Sequence, residues 1–246
     1  MKKLFGLAGL IGILAVPAVQ AVTQITLYQD LSNYSHGNAG EFNAQPDAAL
    51  LSVNPALAGY SPATAELAAT NSSFQTFCVE EAEYFSPGST YNVTISNEVF
   101  YNGGQFPGGE PLTMGTAWLY SQFAAGTLSG YDYVYGSGRT ATAGDLQQAI
   151  WYLQGEAGLV NGSADGTVFY NEAFSVLGGA ITNAANGTYG VAVLNLWAPQ
   201  PDGSNGTAAQ DQLMVVPEPT TVSFGLLLLL PFGMGTVRAC FKKQTV

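Results

Sequence analysis

Cys78, in the stretch "TFCVEEAEYF", is the residue of this 246-residue chain with the most chemical choice. The other cysteine, Cys240, lies close to the C-terminus. Three fates are open to a cysteine with no partner in an oxidising compartment. It can pack as a small inert hydrophobe, or it can pair between chains. Its sulfur can also attack a glutamine carboxamide, expel ammonia and form an internal thioester. Beside it, Glu80, Glu81 and Glu83 put three carboxylates within six residues, with nothing around them to mark a glycosidase acid and base. Solvated charges next to a strand are the favoured reading of them.

A second stretch, "NGSADGTVFYNE" at 161–172, matches the spacing of an EF-hand calcium loop. Asn161, Ser163 and Asp165 take the first ligand positions, Gly166 the sharp turn and Glu172 the closing bidentate position. An aspartate usually opens such loops, so a polar turn joining two helices remains the competing reading. No other cofactor is expected, and calcium is the one metal candidate. His36 is the only histidine, which leaves no Ser-His-Asp or Cys-His pair and no zinc site built from several His and Cys. No Walker-type phosphate loop is present.

The elements that must position these residues are of two kinds. "ITLYQDL", "TYNVTISNEVF" (90–100), "YGVAVLNLWA" (189–198) and "QLMVV" (212–216) are rich in β-branched and aromatic residues, as strands are. The third is apolar on both faces, which predicts a central strand. Between them, "PLTMGTAWLYSQFAAG", "TAGDLQQAIWYLQGE" and "VFYNEAFSVLGGAI" carry apolar residues at helical spacing. Thr142 offers an N-cap for the second. Strands at both ends with helices between them predict an α+β domain, a sandwich-like antiparallel sheet with an inserted helical layer. Residues 35–73 read as a long surface excursion and 199–210 as a flexible loop.

The ends of the chain read as addresses. Residues 1–21, "MKKLFGLAGLIGILAVPAVQA", have the charged start, apolar run and small-residue cleavage site of a secretory signal peptide. At the other end, residues 222–237 carry no charge and are followed by Arg238, Lys242 and Lys243, an arrangement that leaves the basic end in the cytoplasm. With Val216-Pro217-Glu218-Pro219 ahead of it, this segment resembles a PEP-CTERM sorting tail. The resemblance implies handling by an exosortase and the secretion machinery of a Gram-negative bacterium that makes exopolysaccharide. It also implies contact with the membrane only through the tail, before processing, and delivery to the cell envelope or extracellular matrix.

That leaves residues 22–216 as one extracellular domain. Arg139 is its only basic residue, against sixteen of the seventeen acidic ones. So anionic a domain repels phosphate backbones and anionic lipid headgroups, which argues against a nucleic-acid partner.

Within the domain, "FCVE" and, further on, "LQQAIW" resemble the thioester domains of bacterial surface adhesins. There a Cys after an aromatic residue pairs with a Gln in a TQxA-type motif opening a helix. The resemblance implies a bond between Cys78 and Gln147, with Leu146 standing where the family has Thr. A thioester lasts in water only under cover, and Phe77, Trp118, Trp151 and Tyr152 are the candidate apolar shield. The bond reacts with amines, and a domain without lysine cannot consume its own. Two functions therefore stand open, and neither is a turnover enzyme. One is covalent capture of an amine or hydroxyl on a surface or exopolysaccharide. The other is a passive structural or glycan-binding component of the matrix or biofilm with an inert Cys78.

Overall fold

The computed structural model describes residues 22–29, 40–54, 57, 73–100, 109–134, 136–156 and 167–216. Its centre is one six-stranded sheet in the order β3-β2-β1-β4-β7-β8, every neighbouring pair antiparallel. The strands are β1 (Gln24–Gln29), β2 (Phe42–Pro46), β3 (Phe74–Thr76), β4 (Ser89–Ser96), β7 (Val191–Pro199) and β8 (Asn205–Val215). β5 (Glu98–Val99) and β6 (Glu110–Pro111) form a separate two-stranded ribbon. Among the described residues there are four α-helices: α1 (Ala48–Val53), α2 (Met114–Ala124), α3 (Ser137–Leu153) and α4 (Thr167–Leu177). The fold is α+β, as the pattern of strands and helices predicts.

The sheet is not flat. Its two edges, β3 and β8, curl far enough to meet each other just beyond β3. Leu213 N–H donates to the Phe77 carbonyl (3.1 Å), Val79 N–H to the Asp211 carbonyl (3.0 Å) and the Thr76 hydroxyl to the Leu213 carbonyl (2.7 Å). Cys78 stands opposite Gln212 in this short antiparallel seam. A bulge helps the curl: around Asn195 of β7, the β8 register jumps from Leu194↔Gln212 to Leu196↔Ala209. Such an irregularity sharpens local twist.

Period-two alternation divides the core in two. Val191 and Val193 of β7 face a layer formed by α2, α3 and α4, with Trp118, Phe123, Leu146, Ile150 and Phe169. Ala192, Leu194 and Leu196 face the inside of the curl with Ile25, Leu27, Phe74 and Val93, under Leu50 of α1. β7 is thus a central strand because both of its faces are apolar. Helix α2 approaches its neighbours so closely that a Cβ on Gly115 would lie 2.6 Å from Ile181 and 2.9 Å from Leu153. Glycine is required there for contact and not for turning.

Three expectations change. Residues 42–54, read as part of a surface excursion, form β2 and α1, and much of this stretch is buried. The pattern was masked by polar residues buried in pairs, such as Gln75 Nε2 donating to Asn43 Oδ1 at 2.9 Å. The 199–210 loop is a tight turn over 200–204, and β8 already runs from Asn205. Helix α3 starts at Ser137, five residues ahead of Thr142, behind a glycine (Gly136) with φ 144°. Thr142 lies inside the helix and donates back to the Gly138 and Arg139 carbonyls, both at 3.2 Å.

Candidate functional site

Cys78 and Gln147 are brought together, 69 positions apart in sequence and both fully buried. Strand geometry explains how the cysteine is presented. In an extended chain successive peptide groups point to opposite sides, so Phe77 and Val79 bond to β8 while Cys78 turns its own N–H and C=O away from it. Gln147 of α3 fills that edge. Cys78 N–H donates to Gln147 Oε1 (3.1 Å), and Gln147 Nε2 donates to the Cys78 carbonyl (2.6 Å). The side-chain amide thus pairs with Cys78 as a neighbouring strand would. Cys78 Sγ also lies 3.1 Å from Oε1.

This arrangement suits attack of sulfur on the carboxamide carbon. Sγ already contacts the oxygen of the carboxamide whose carbon it would attack, which holds the two reacting groups side by side. Cys78 N–H donates to the oxygen on which negative charge would develop, the placement an oxyanion hole requires. Against it, burial first of all pushes the Cys78 thiol well above its usual value, with smaller contributions from the charges of Glu80 and Glu81; the Trp151 side chain acts in the opposite direction. A thiol held so firmly neutral needs a base to react.

The cover differs in part from the expected one. Trp151 does pack with Cys78, but its companions are Phe42 and the half-buried Phe85, which meets Phe42 edge-on at 4.9 Å. Phe77 faces the main core and meets the Phe123 ring at 4.9 Å, because adjacent residues of an extended chain face opposite ways. Trp118 belongs to the same core. Tyr152 is 37% exposed and leans on Tyr170, one helical step away from Trp151 and facing outward. Gln148 is only partly buried, whereas Gln147 is fully enclosed.

Two features of the surroundings were visible in the sequence as residues but not as parts of the site. Arg139 in the first turn of α3 is fully buried and forms an ion pair with Glu41, the residue before β2. Its Nε donates to Glu41 Oε2 at 2.9 Å, and the Tyr131 hydroxyl donates to the same oxygen at 2.8 Å. The signal was there: a single basic residue in so acidic a domain has a carboxylate to find. The pair ties the helix that carries Gln147 to the strand that carries Phe42.

The second feature is the group of carboxyls beyond Cys78, expected as solvated charges; Glu81 is exposed, but Glu83 is half-buried and Glu80 enclosed. Glu80 is 2% exposed, and its carboxyl meets no N–H donor among the described residues; the group that bonds to it is the neighbouring Glu83 carboxyl. Burial, then the adjacent Glu83 carboxyl, pushes Glu80 far up from the usual carboxylate range. Burial raises Glu83 and Glu156 as well. Asp211 is raised to about 7 by burial, although Phe100 N–H (2.8 Å), Asn195 Nδ2 (2.8 Å) and Leu196 N–H (3.1 Å) all donate to it.

Of the calcium loop, Asn161, Ser163 and Asp165 lie outside the described residues. Glu172 sits on α4, half-buried. Among the described residues no three metal-ligating side chains converge. Val216 follows β8, and Pro217, Glu218 and Pro219 lie outside the described residues, as do the signal peptide and the apolar tail. No described helix is long and apolar enough to cross a membrane. In comparisons with known proteins, no family model, curated protein or solved structure matched this chain.

Proposed function

We infer that the chain is an exported, tail-sorted surface or matrix protein that forms an internal Cys78–Gln147 thioester and uses it for one covalent capture event. The observation that carries this reading is the enclosed contact of Cys78 with the Gln147 carboxamide, sulfur to oxygen 3.1 Å. In the bonding step Sγ–Cδ forms, Cδ–Nε2 breaks and ammonia leaves. In the capture step an amine or hydroxyl on a surface or exopolysaccharide takes the Gln147 acyl group and the thiol is restored. Such a protein turns over once and is not an enzyme. It needs no cofactor, and calcium at the 161–172 loop would serve stability alone. Export and tail sorting rest on the sequence of the two ends, with an exosortase as the processing partner.

Intact mass tests the reading directly. The freshly isolated protein should be lighter than its sequence mass by one ammonia and should resist thiol alkylation. Methylamine should restore the free thiol and leave an amide adduct at Gln147. Cys78→Ala and Gln147→Ala should each abolish these effects, whereas Gln148→Ala should spare them, since neighbouring helical positions point about 100° apart. A protein of full mass would remove the thioester.

The second reading, a passive glycan-binding matrix component, has its own observation. Phe100 is 57% exposed and meets Trp197 edge-on at 4.6 Å on the outer side of the sheet. An exposed aromatic pair of this kind can stack against sugar rings. Loss of polysaccharide binding in Trp197→Ala, with the mass of the protein unreduced, would favour it.

A further inference from the structure

Forming the thioester moves a proton that the pair cannot manage alone. Sγ must lose the thiol hydrogen as it attacks, and Nε2 must gain one to leave as ammonia. Both polar atoms of the Gln147 side chain are already engaged with Cys78. Burial keeps the thiol from ionising by itself. Some other group must accept one proton and give another.

The neighbourhood holds such a group. Glu80 follows Cys78 by two residues, and its backbone is pinned by Gln210 Nε2 donating to its carbonyl at 2.9 Å. Its carboxyl is enclosed and meets no N–H donor among the described residues, its one partner being the Glu83 carboxyl. Near the cysteine, Gln212 Oε1 is enclosed without a partner among the described residues, and the Trp151 side chain bonds to the thiol. Trp151 packs on Cys78, and Gln212 stands opposite it in the seam, where paired residues share a face. The carboxyl lies near enough for its charge to act on the sulfur. No cation neutralises it there, because Arg139, the only basic residue between 22 and 216, is committed to Glu41. An enclosed carboxyl whose partner is a second acid weakens a fold, so a chemical reason for keeping it is worth seeking.

We propose that Glu80 is the proton-transfer residue of this site, taking the thiol hydrogen of Cys78 and delivering one to the departing Gln147 nitrogen. The proposal rests on the thioester reading above. A neutral carboxyl has both an O–H donor and a C=O acceptor. Glu80 can therefore protonate Nε2 through one oxygen while the other receives the hydrogen of Sγ–H, and it ends the step as it began. Sγ–Cδ has formed, Cδ–Nε2 has broken, and the net products are thioester and ammonia. Burial first, then the hydrogen bond to Glu83 and the charges of Asp211, Glu83 and Glu156, raise Glu80 so that it is protonated at neutral pH. In the resting pair the carboxyl makes no hydrogen bond to Sγ; a rotation of its own side chain or one bridging water spans such a gap, as general acids and bases commonly do.

The test follows ammonia loss in time. The full-length chain is taken from inclusion bodies dissolved in urea, so that it has never folded and its thiol and glutamine are intact, and is diluted into detergent-containing buffer. Intact mass reports bond formation, and tryptophan fluorescence reports folding separately. Glu80→Gln should fold yet form the bond about a hundredfold or more slowly, the usual worth of general acid-base assistance. Glu80→Asp should recover part of the rate. Between about pH 6 and 8 the wild-type rate should be flat, whereas Glu80→Gln should speed up about tenfold per pH unit as hydroxide replaces the carboxyl. If the wild type never loses ammonia, the thioester reading fails and this role with it. If the wild type loses ammonia and Glu80→Gln matches it, only the role of Glu80 falls. Should Glu80→Gln not fold, the wild-type profile decides: a flat rate supports the role, and a tenfold rise per pH unit overturns it.

Discussion

Replacing Arg139 by methionine removes a charge from a place where water cannot compensate for it. Arg139 and Glu41 are both fully enclosed, and the guanidinium grips Glu41 through Nε and Nη2. Arg139→Met keeps most of the packing volume and strands the Glu41 carboxylate with the Tyr131 hydroxyl as its remaining described donor. Breaking a buried pair from one side costs about 3–5 kcal/mol. At about 2–4 °C per kcal/mol for a domain of this size, the melting temperature should fall by roughly 6–20 °C. The double variant Glu41→Leu/Arg139→Met should regain much of the loss, because apolar replacement of both partners is often neutral. It should not regain all of it, since the enclosed Tyr131 hydroxyl loses its acceptor at about 1–3 kcal/mol. Urea unfolding followed by tryptophan fluorescence measures each difference. The same change should also lower the yield of thioester, because the first turn of α3 aligns Gln147 with Cys78. An Arg139→Met protein within about 1 kcal/mol of wild type would refute the argument that the pair anchors the helix.

Other consequences can be checked alongside. Glu80, Glu83, Glu156 and Asp211 all have raised values in the folded protein, burial being the first cause. A raised acid favours the folded state below its unfolded value and loses that contribution as pH climbs through the folded one. For Asp211 the window runs from 3.8 to about 7, worth roughly 4 kcal/mol. Melting should therefore occur at higher temperature at pH 5 than at pH 8, and a curve flat across that range would refute the assignment. Trp151→Ala should open the cover and speed hydrolysis of the bond, while Trp151→Phe should keep the cover and lose only the indole N–H; equal hydrolysis in both would move the shielding elsewhere. Glu172→Gln should weaken calcium binding if the 161–172 loop holds the ion, and calorimetry of the unaltered protein with no heat at millimolar calcium would make the loop a turn. The surface form should lack residues 1–21 and the apolar tail, so a mature mass that still included residues 241–246 would count against tail removal.

The sequence by itself determined what depends on near neighbours. The apolar faces of β7, the alternation in β4 and the helical spacing in α2 and α3 were all legible, because burial on a strand or helix repeats over a few residues. So was the isolation of Cys78 and the acidity around it. What failed was also local in origin. Cap chemistry pointed to Thr142, but the helix must begin early enough for Arg139 to reach Glu41, and that contact outweighs a hydroxyl cap. Polar residues concealed β2, since Asn43 is enclosed only because Gln75 of the next strand satisfies it.

The seam was decided by tertiary structure alone. Whether residues 76–79 meet β8 depends on the curl accumulated over six strands and on the bulge at Asn195, and no short stretch encodes such a sum. Only that closure turns the Cys78 peptide toward α3, encloses Glu80, and sends Phe77 into the core while Phe42 and Phe85 cover the sulfur. The residue types were written in the chain; their meeting followed from the twist of the sheet.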